Sequence, residues 1–350
     1  MGLVWTEGFE THTNSGQVGR KYASSSGIFA TQTGRVFGNA GSINASVYIS
    51  QSFATGLADT VGIAFGLRLN AQVSGLNSGS QGIYIERGSA EQIHLEVVSN
   101  AGSFELRVMR GATQLGVTSE AFAYAAWHHF ELKATLHTST GAFELRHNEV
   151  NVLSASGVNT AGSGSNQADI FALRFTTISA NCQFDDFAVW SSAGGVSPTD
   201  FIGDCVVEGV TPNANGTTIQ WTNDAGSGLN FQNVDDAGVS APDDTGVGGT
   251  NSSDTNGQKD LYAYSDLTQI NGTIIGVAVY TQLAMASSGS RQVKLRFRDD
   301  GGAEGDGTTH TVVLTTFVEK IDMLNLNPAT AAAWDVTDIN GGEFGVEVVS

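Results

Sequence analysis

The feature that most constrains this chain is an alternation of apolar and polar side chains at period two, repeated along most of its length. Phe130, Leu132, Ala134 and Leu136 alternate with Glu131, Lys133 and Thr135. Val293, Leu295 and Phe297 alternate with Lys294, Arg296 and Arg298, and Phe344, Val346 and Val348 with Gly345 and Glu347. Successive side chains of a β-strand point to opposite faces, so each run reads as a strand with one face on a core and one in water. Ile83–Glu86, Ile93–Val98, Phe104–Met109, Phe143–Arg146, Phe171–Phe175 and Ile274–Tyr280 read the same way. Turn clusters rich in Gly, Ser, Thr, Asn and Asp separate the runs by roughly 8–15 residues, the spacing of a sandwich or barrel. No amphipathic helix of three turns is visible. One helical turn is expected at Ala329–Trp334, after Pro328.

The fold class expected is all-β, as two tandem, jelly-roll-like β-sandwich domains. The 350 residues suit two domains better than one, and a 40% hydrophobic content is enough for packed cores. The first domain is placed at 1–190 and a small-residue linker at 191–203, containing Ser191-Ser192-Ala193-Gly194-Gly195-Val196-Ser197-Pro198. The second domain is placed at 204–350. Asp235–Asp260 is a long Asp/Gly/Asn-rich stretch of the kind that is either functional or loosely held.

Charge excludes some partners. The net charge is −19, and it is uneven: residues 1–203 carry 15 acidic and 10 basic side chains, residues 204–350 carry 20 and 6. Nucleic acids and anionic membranes need clustered Lys and Arg, so neither is an expected partner. The two cysteines, Cys182 and Cys205, are too few for a disulfide scaffold. They read as two buried thiols, with a single bridge as the alternative. The first residues lack the basic and apolar regions of a signal peptide, and no run approaches 18 uncharged apolar residues.

Catalytic patterns are missing. Glycoside hydrolysis needs two carboxylates flanking one bond. The nearest strand pair is Asp185 and Asp186, adjacent residues expected on opposite faces. The pair His128/His129 diverges for the same reason and reads as structural. No Gly-x-Ser-x-Gly elbow or phosphate-cradling glycine loop is present. The chain is therefore expected to be no enzyme. Calcium is the one ion for which hard oxygen ligands gather, at Asp243, Asp244, Asp254, Asn256 and Asp260. Ser252–Gly257 partly imitates the start of an EF-hand, but Ala263 stands where the bidentate Glu would be. Asp299, Asp300, Glu304 and Asp306 form a second acidic loop. Solvated hairpin loops are the competing reading of both. Trp5, Trp127 and Trp190 are spaced like core residues.

Several motifs stand in a familiar order. Glu7-Gly8-Phe9-Glu10 opens the chain, Trp127-His128-His129-Phe130-Glu131-Leu132 and Gly141–Arg146 follow, and Phe184-Asp185-Asp186-Phe187-Ala188-Val189-Trp190 closes the first domain. This resembles the concanavalin A-like, laminin-G-like jelly rolls, which implies a two-sheet sandwich that often binds carbohydrate or protein. The second part resembles a module at the end of tailed-bacteriophage structural proteins. The matching residues are Trp221–Gly226, Asn233–Asp236, Gly257–Tyr262, Asn327-Pro328-Ala329-Thr330-Ala331-Ala332-Ala333-Trp334 and Glu343–Glu347. That resemblance implies a virion component.

The functional expectation is a non-enzymatic virion structural protein. It would be a surface appendage like a tail or head fibre that adheres to a host surface or glycan, with other virion proteins as partners and a homo-oligomeric state. No cofactor besides calcium is expected. Anchoring is assigned to 204–350 and display to 1–203, the reverse arrangement standing as the alternative. Two other readings stay open: a capsid decoration or connector protein with no adhesive role, and a bacterial carbohydrate-binding lectin.

Overall fold

The structure, a computed structural model, describes residues 2–9, 24–26, 29–36, 38–43, 47–52, 58–70, 82–100, 102–175, 182–193, 200–224, 226, 228–235, 249–269 and 271–350. It divides into two compact units, Met1–Val207 and Glu208–Ser350.

The strands of the first unit are β1 (Gly2–Glu7), β2 (Ser24–Ser26), β3 (Phe29–Thr33), β4 (Asn39–Ile43), β5 (Val47–Ser52), β6 (Thr60–Leu69), β7 (Gly82–Arg87) and β8 (Ala90–Asn100). They continue with β9 (Ser103–Arg110), β10 (Thr113–Val117), β11 (Phe122–Ala123), β12 (His128–Thr135), β13 (Gly141–His147), β14 (Val150–Val158), β15 (Ile170–Phe175) and β16 (Cys182–Ser191). The first sheet runs β14-β13-β12-β6-β16-β4-β3, with β1 also paired to β16. The second runs β10-β9-β8-β7-β15-β5-β2, with β11 on β9. All the described pairings are antiparallel. The two sheets close on one apolar cluster: Ile63, Phe65, Leu67, Phe130, Leu132, Phe184 and Val189 from the first, Ile83, Ile85, Ile93, Leu95, Leu106, Phe171 and Leu173 from the second. These are the apolar halves of the period-two runs. The polar halves are thereby placed on the two outward faces.

Two local features shape the first sheet. Trp190 pairs with Gly62 across β16 and β6, and a Cβ at Gly62 would stand 2.0 Å from the indole. Only glycine leaves room for that ring. Between Asp185 and Ala188 the register of β16 against β6 shifts, and Asp186 has φ of 51°. This bulge turns an adjacent residue out of strict alternation. Trp5 and Trp190 are buried, as expected of core residues, whereas Trp127, just ahead of β12, is only half-buried.

The second unit contains β17 (Pro212–Ile219), β18 (Thr222–Asn223), a 3-10 turn at Asn230–Asn233, β19 (Asn251–Ser252), β20 (Lys259–Tyr264), β21 (Val277–Leu283), β22 (Arg291–Arg298), β23 (Glu304–Val312), β24 (Val318–Leu324), α1 (Val336–Asn340) and β25 (Glu343–Val348). A five-stranded sheet, β17-β20-β25-β22-β23, packs on the ribbon β21-β24. Phe297, Phe344 and Tyr264 meet Val277, Val279 and Leu324 between them, joined by Trp334 and Ile339. The expected helical turn at Ala329–Trp334 is instead a turn organised by Asn327, whose Oδ1 accepts the N–H of Ala329 and Thr330 at 2.8 and 3.3 Å. Ala331 at φ 58° breaks any helix there. The helix starts later because the Asp335 side chain accepts the Asp338 N–H and caps it. The strand expected from Ile274 begins at Val277.

Candidate functional site

The outward face of the first sheet is closed by the chain itself. Alternation along β12 turns His129, Glu131 and Lys133 outward, and the bulge in β16 brings both Asp185 and Asp186 to Arg35, which follows β3. Arg35 donates from its backbone N–H to Asp185 Oδ2 (2.6 Å) and from Nε to Asp186 Oδ2 (2.7 Å). It also donates from Nη1 to Asp204 Oδ1 (2.7 Å) and from Nη2 to the Cys205 carbonyl (2.6 Å). Residues 200–207 are pinned across this face. Lys133 Nζ reaches Asp200 at 2.5 Å, and the Arg146 guanidinium lies 3.7 Å from the centre of the Phe201 ring. Glu131 Oε1 accepts the N–H groups of Ile202 and Gly203 at 2.8 and 3.1 Å, and Asp186 Oδ1 accepts that of Val207 at 2.8 Å.

The sequence expectation that Asp185 and Asp186 face apart is corrected by this geometry: the bulge lets both reach Arg35, Asp185 at its backbone N–H and Asp186 at its guanidinium. They do not form an acid–base pair open to a substrate, because their oxygens are occupied by Arg35, Val207 and the Asp186 N–H. Burial, then the neighbouring charge of Asp186, pushes Asp185 up to about 8. Burial also raises Asp186 against the pull of Arg35. Burial works against the charge of Arg35 too, but Asp186 and Asp204 outweigh it. Cys205 Sγ lies 3.9 Å from His129 Nε2. Burial drives that thiol well above its ordinary range and drives His129 down to about 4. At neutral pH the two are a thiol and a neutral ring, not an activated thiolate pair. Both cysteines are free. The other histidine of the pair diverges as expected, His128 Nδ1 lying 3.0 Å from His147 Nε2. Beyond the pinned segment a shallow depression of about 370 Å³ is lined by Lys133, Thr135, Ala142, Glu144, Ser154 and Ser156 among others.

The outward face of the second sheet is different. Strand register aligns Ser50, Ala172, Tyr84, His94 and Met109 in one row across β5, β15, β7, β8 and β9. Tyr48, Arg174, Gly82, Glu96 and Arg107 form the next. Tyr84 and His94 stack, with ring centroids 4.5 Å apart and planes 15° from parallel. The Arg174 guanidinium lies 5.2 Å from the Tyr48 ring centre and 4.9 Å from that of Tyr84, cation–π distances. Arg174 also pairs with Glu86 at 2.5 Å. His94 Nδ1 lies 2.7 Å from Glu91 Oε1, which also accepts the Gly111 N–H at 2.6 Å. Tyr84, His94 and Glu86 are 4%, 3% and 1% exposed, while Arg174 and Arg107 on the same face are 30% and 32% exposed.

Burial, then Glu91, pushes the Tyr84 phenol up to about 12, so it stays a neutral hydroxyl. Burial raises Glu86 against its pairing with Arg174. It would raise Glu91 as well, but the His94 hydrogen bond leaves that carboxyl below its ordinary value. Nδ1 of His94 is engaged by the Glu91 carboxylate, and Nε2 is buried without a hydrogen-bond partner. Buried polar atoms are rarely left so. A hydroxyl from outside the chain would satisfy His94 Nε2; Arg107 Nε on this face, and His129 Nδ1 and Glu131 Oε2 on the first, are likewise buried without hydrogen-bond partners.

In the second unit, Asp243 and Asp244 lie outside the described residues. Asp254 and Asn256 are exposed around a turn. Asp260 is buried, and its carboxylate accepts from the Gln220 and Trp221 N–H groups, Asn230 Nδ2 and the Tyr262 hydroxyl. It serves the fold, tying β20 to the turns beside it. In the second acidic loop Glu304 pairs with Lys259 and Arg296, Asp306 with Lys294 and Arg296, and Asp299 accepts the Ala303 N–H. Among the described residues no group of three or more His, Cys, Asp and Glu is placed to hold a metal.

Sequence reasoning did not find Arg35, Arg174, Glu86, Glu91 or His94. Alternation does put Tyr84 with Glu86, and His94 with Glu96, on one face of their strands. It carries no information on which strands are neighbours, so the stack and the ion pair were not readable.

No family model matches the chain, and no curated protein matches it. Among solved structures, the endo-β-1,4-glucuronan lyase of the fungus Trichoderma reesei is similar at 13% identity and a TM-score of 0.36, over 54% of this chain and 96% of that one. Alginate lyase Aly36B gives 10% and 0.38 over 53% and 96%. The carbohydrate-binding module CBM66 from Bacillus subtilis gives 11% and 0.30 over 47% and 92%. A likeness of this degree carries no argument about activity.

Proposed function

We propose that the chain is a non-enzymatic adhesive component of a virion, in which the first sandwich binds glycan through the outward face of its second sheet. The second unit would attach it to other virion proteins. The observation that carries the binding half is His94: a buried ring held by Glu91 and Tyr84 with one nitrogen left without a hydrogen-bond partner, beside guanidinium and phenol groups suited to sugar rings. The non-enzymatic half is supported by the other face, where the acidic pair and the Cys–His pair are committed to holding residues 200–207. The virion half rests on the resemblance of Asn327–Trp334 and Glu343–Glu347. In the structure these residues build the second core, with Trp334 donating to the Leu324 carbonyl at 2.8 Å.

The test is binding of the whole chain to a panel of polysaccharides and to host cells. His94→Ala and Arg174→Ala should each weaken retention by about tenfold or more, as loss of one buried hydrogen bond or one stacked cation does. Unchanged retention in both would move the site elsewhere. Immunogold labelling of intact particles would locate the chain, and a chain absent from particles would end the virion half. Under the same reading calcium, where it binds, is held by the loop carrying Asp243, Asp244, Asp254 and Asn256. A chelator would then lower the melting temperature by ligand linkage, and a melt indifferent to chelator and to added calcium would remove that site.

A further inference from the structure

We infer that the ligand of the second-sheet face is an uncharged, hydroxyl-rich glycan and that polymers of acidic sugars are refused. The inference rests on the reading of that face as glycan-binding. Among the described residues of the face, the cations are already matched. Arg174 is 2.5 Å from Glu86, and Arg107 is 3.4 Å from Glu105 and 3.8 Å from Glu96. Glu91 is added to these acids and is itself tied to His94. A sugar carboxylate could take Arg174 only by drawing it from Glu86, which is 1% exposed and would be left as a buried, unpaired charge.

The hydrogen-bonding capacity of the face points the same way. The free atom, His94 Nε2, accepts or donates according to the tautomer of the ring, and a sugar hydroxyl meets either role. An ionised carboxylate has no proton to give it, whereas a sugar hydroxyl has. The carboxylates of Glu91 and Glu105, which are part-exposed, likewise accept and do not donate. A face on which Glu86, Glu91, Glu96 and Glu105 outnumber Arg107 and Arg174 selects for hydroxyls over further negative charge.

Affinity electrophoresis of the full chain in neutral glucan, mannan and galactan gels, and in alginate, polygalacturonate and hyaluronate gels, tests this. Retardation by at least one neutral polymer is expected, changing by less than about twofold between roughly 0.05 and 0.5 M salt, because no net ion pairing is involved. No retardation by the acidic polymers is expected. Glu86→Gln should release Arg174 and confer retention by an acidic polymer that salt abolishes. The double variant Glu96→Gln with Glu105→Gln, which releases Arg107 on the same face, provides the same readout where the first variant fails to fold. Stronger retention of the native chain by acidic polymers overturns the inference but leaves glycan binding standing. Retention by no polymer overturns the glycan-binding reading and the inference with it. A folded variant that gains no acidic binding shows that the Arg–Glu pairs are not what refuses the charge, and also overturns it.

Discussion

The two outward faces of the first sandwich are built from the same kind of material, alternating polar residues on strands, and they end differently. On the first sheet Arg35 holds Asp185 with its backbone N–H and Asp186 and Asp204 with its guanidinium, and the chain lays residues 200–207 over the cluster. On the second sheet Arg174 and Arg107 pair with carboxylates of the sheet itself, and His94 keeps a ring nitrogen without a partner. Where carboxylates accept the chain's own backbone N–H groups, as Glu131 and Asp186 do, the chain itself covers the face. Where the ion pairs stay within the sheet, residues 200–207 leave the face to a ligand.

The largest effect that would break this comparison comes from Arg35. Arg35→Ala leaves Asp186 and Asp204 without their cation and should cost the first unit about 3–5 kcal/mol, the range for removing one partner of a buried ion pair. Urea unfolding followed by tryptophan fluorescence measures it. A loss under about 1 kcal/mol would mean the segment is held by its apolar contacts and the face is less closed than its hydrogen bonds say.

A smaller effect is the pH dependence of the same face. Asp185 is raised to about 8, against an unfolded value near 3.9, so between those values the folded chain holds a proton that the unfolded chain has released. Its contribution therefore falls as pH rises through that window and levels off above about 8. His129, lowered to about 4 from an unfolded value near 6.5, acts in the opposite sense: the unfolded chain takes up a proton that the folded chain refuses, so its contribution rises with pH over that range. The two oppose each other below about 6.5, and only the Asp185 slope continues above it. The melting temperature of the first unit should decline from pH 6.5 to about 8, and Asp185→Asn should remove that decline whatever its absolute stability. A decline that persists in the variant assigns it to another group.

The smallest effect is at the rim. Asp200→Asn removes an exposed partner of Lys133 and should change stability by less than about 1 kcal/mol, measured by the same urea midpoint. A larger loss would place the hold on residues 200–207 at its start instead of at Arg35.

What was legible in the sequence follows from range. The alternation in Phe130–Leu136, Val293–Phe297 and Phe344–Val348 is local, and the strands formed there with their apolar halves inward. The fold class and the core tryptophans Trp5 and Trp190 were readable for the same reason. Arg35 was not, because its partners stand 150 to 170 positions along the chain and meet it only through sheet register and a bulge. The acids chosen as calcium ligands were picked by composition. For Asp260 composition could not show that four donors already surround it.

One feature of the first sheet bears on when this protein can fold at all. β16, at Cys182–Ser191, is the strand to which β1, β4 and β6 all pair, so Gly2 meets Ser191 and Cys182 sits between Ile43 and Leu69. As the chain leaves the ribosome, its first strand and its fourth have no common partner until almost the whole sandwich has been made. Such long-range closure is slow, and a chain stalled before Cys182 would present open strand edges to its neighbours. Production of the first unit should therefore depend on elongation reaching Ser191 before nascent chains find one another, which makes a pause upstream of β16 the point at which synthesis turns to aggregate.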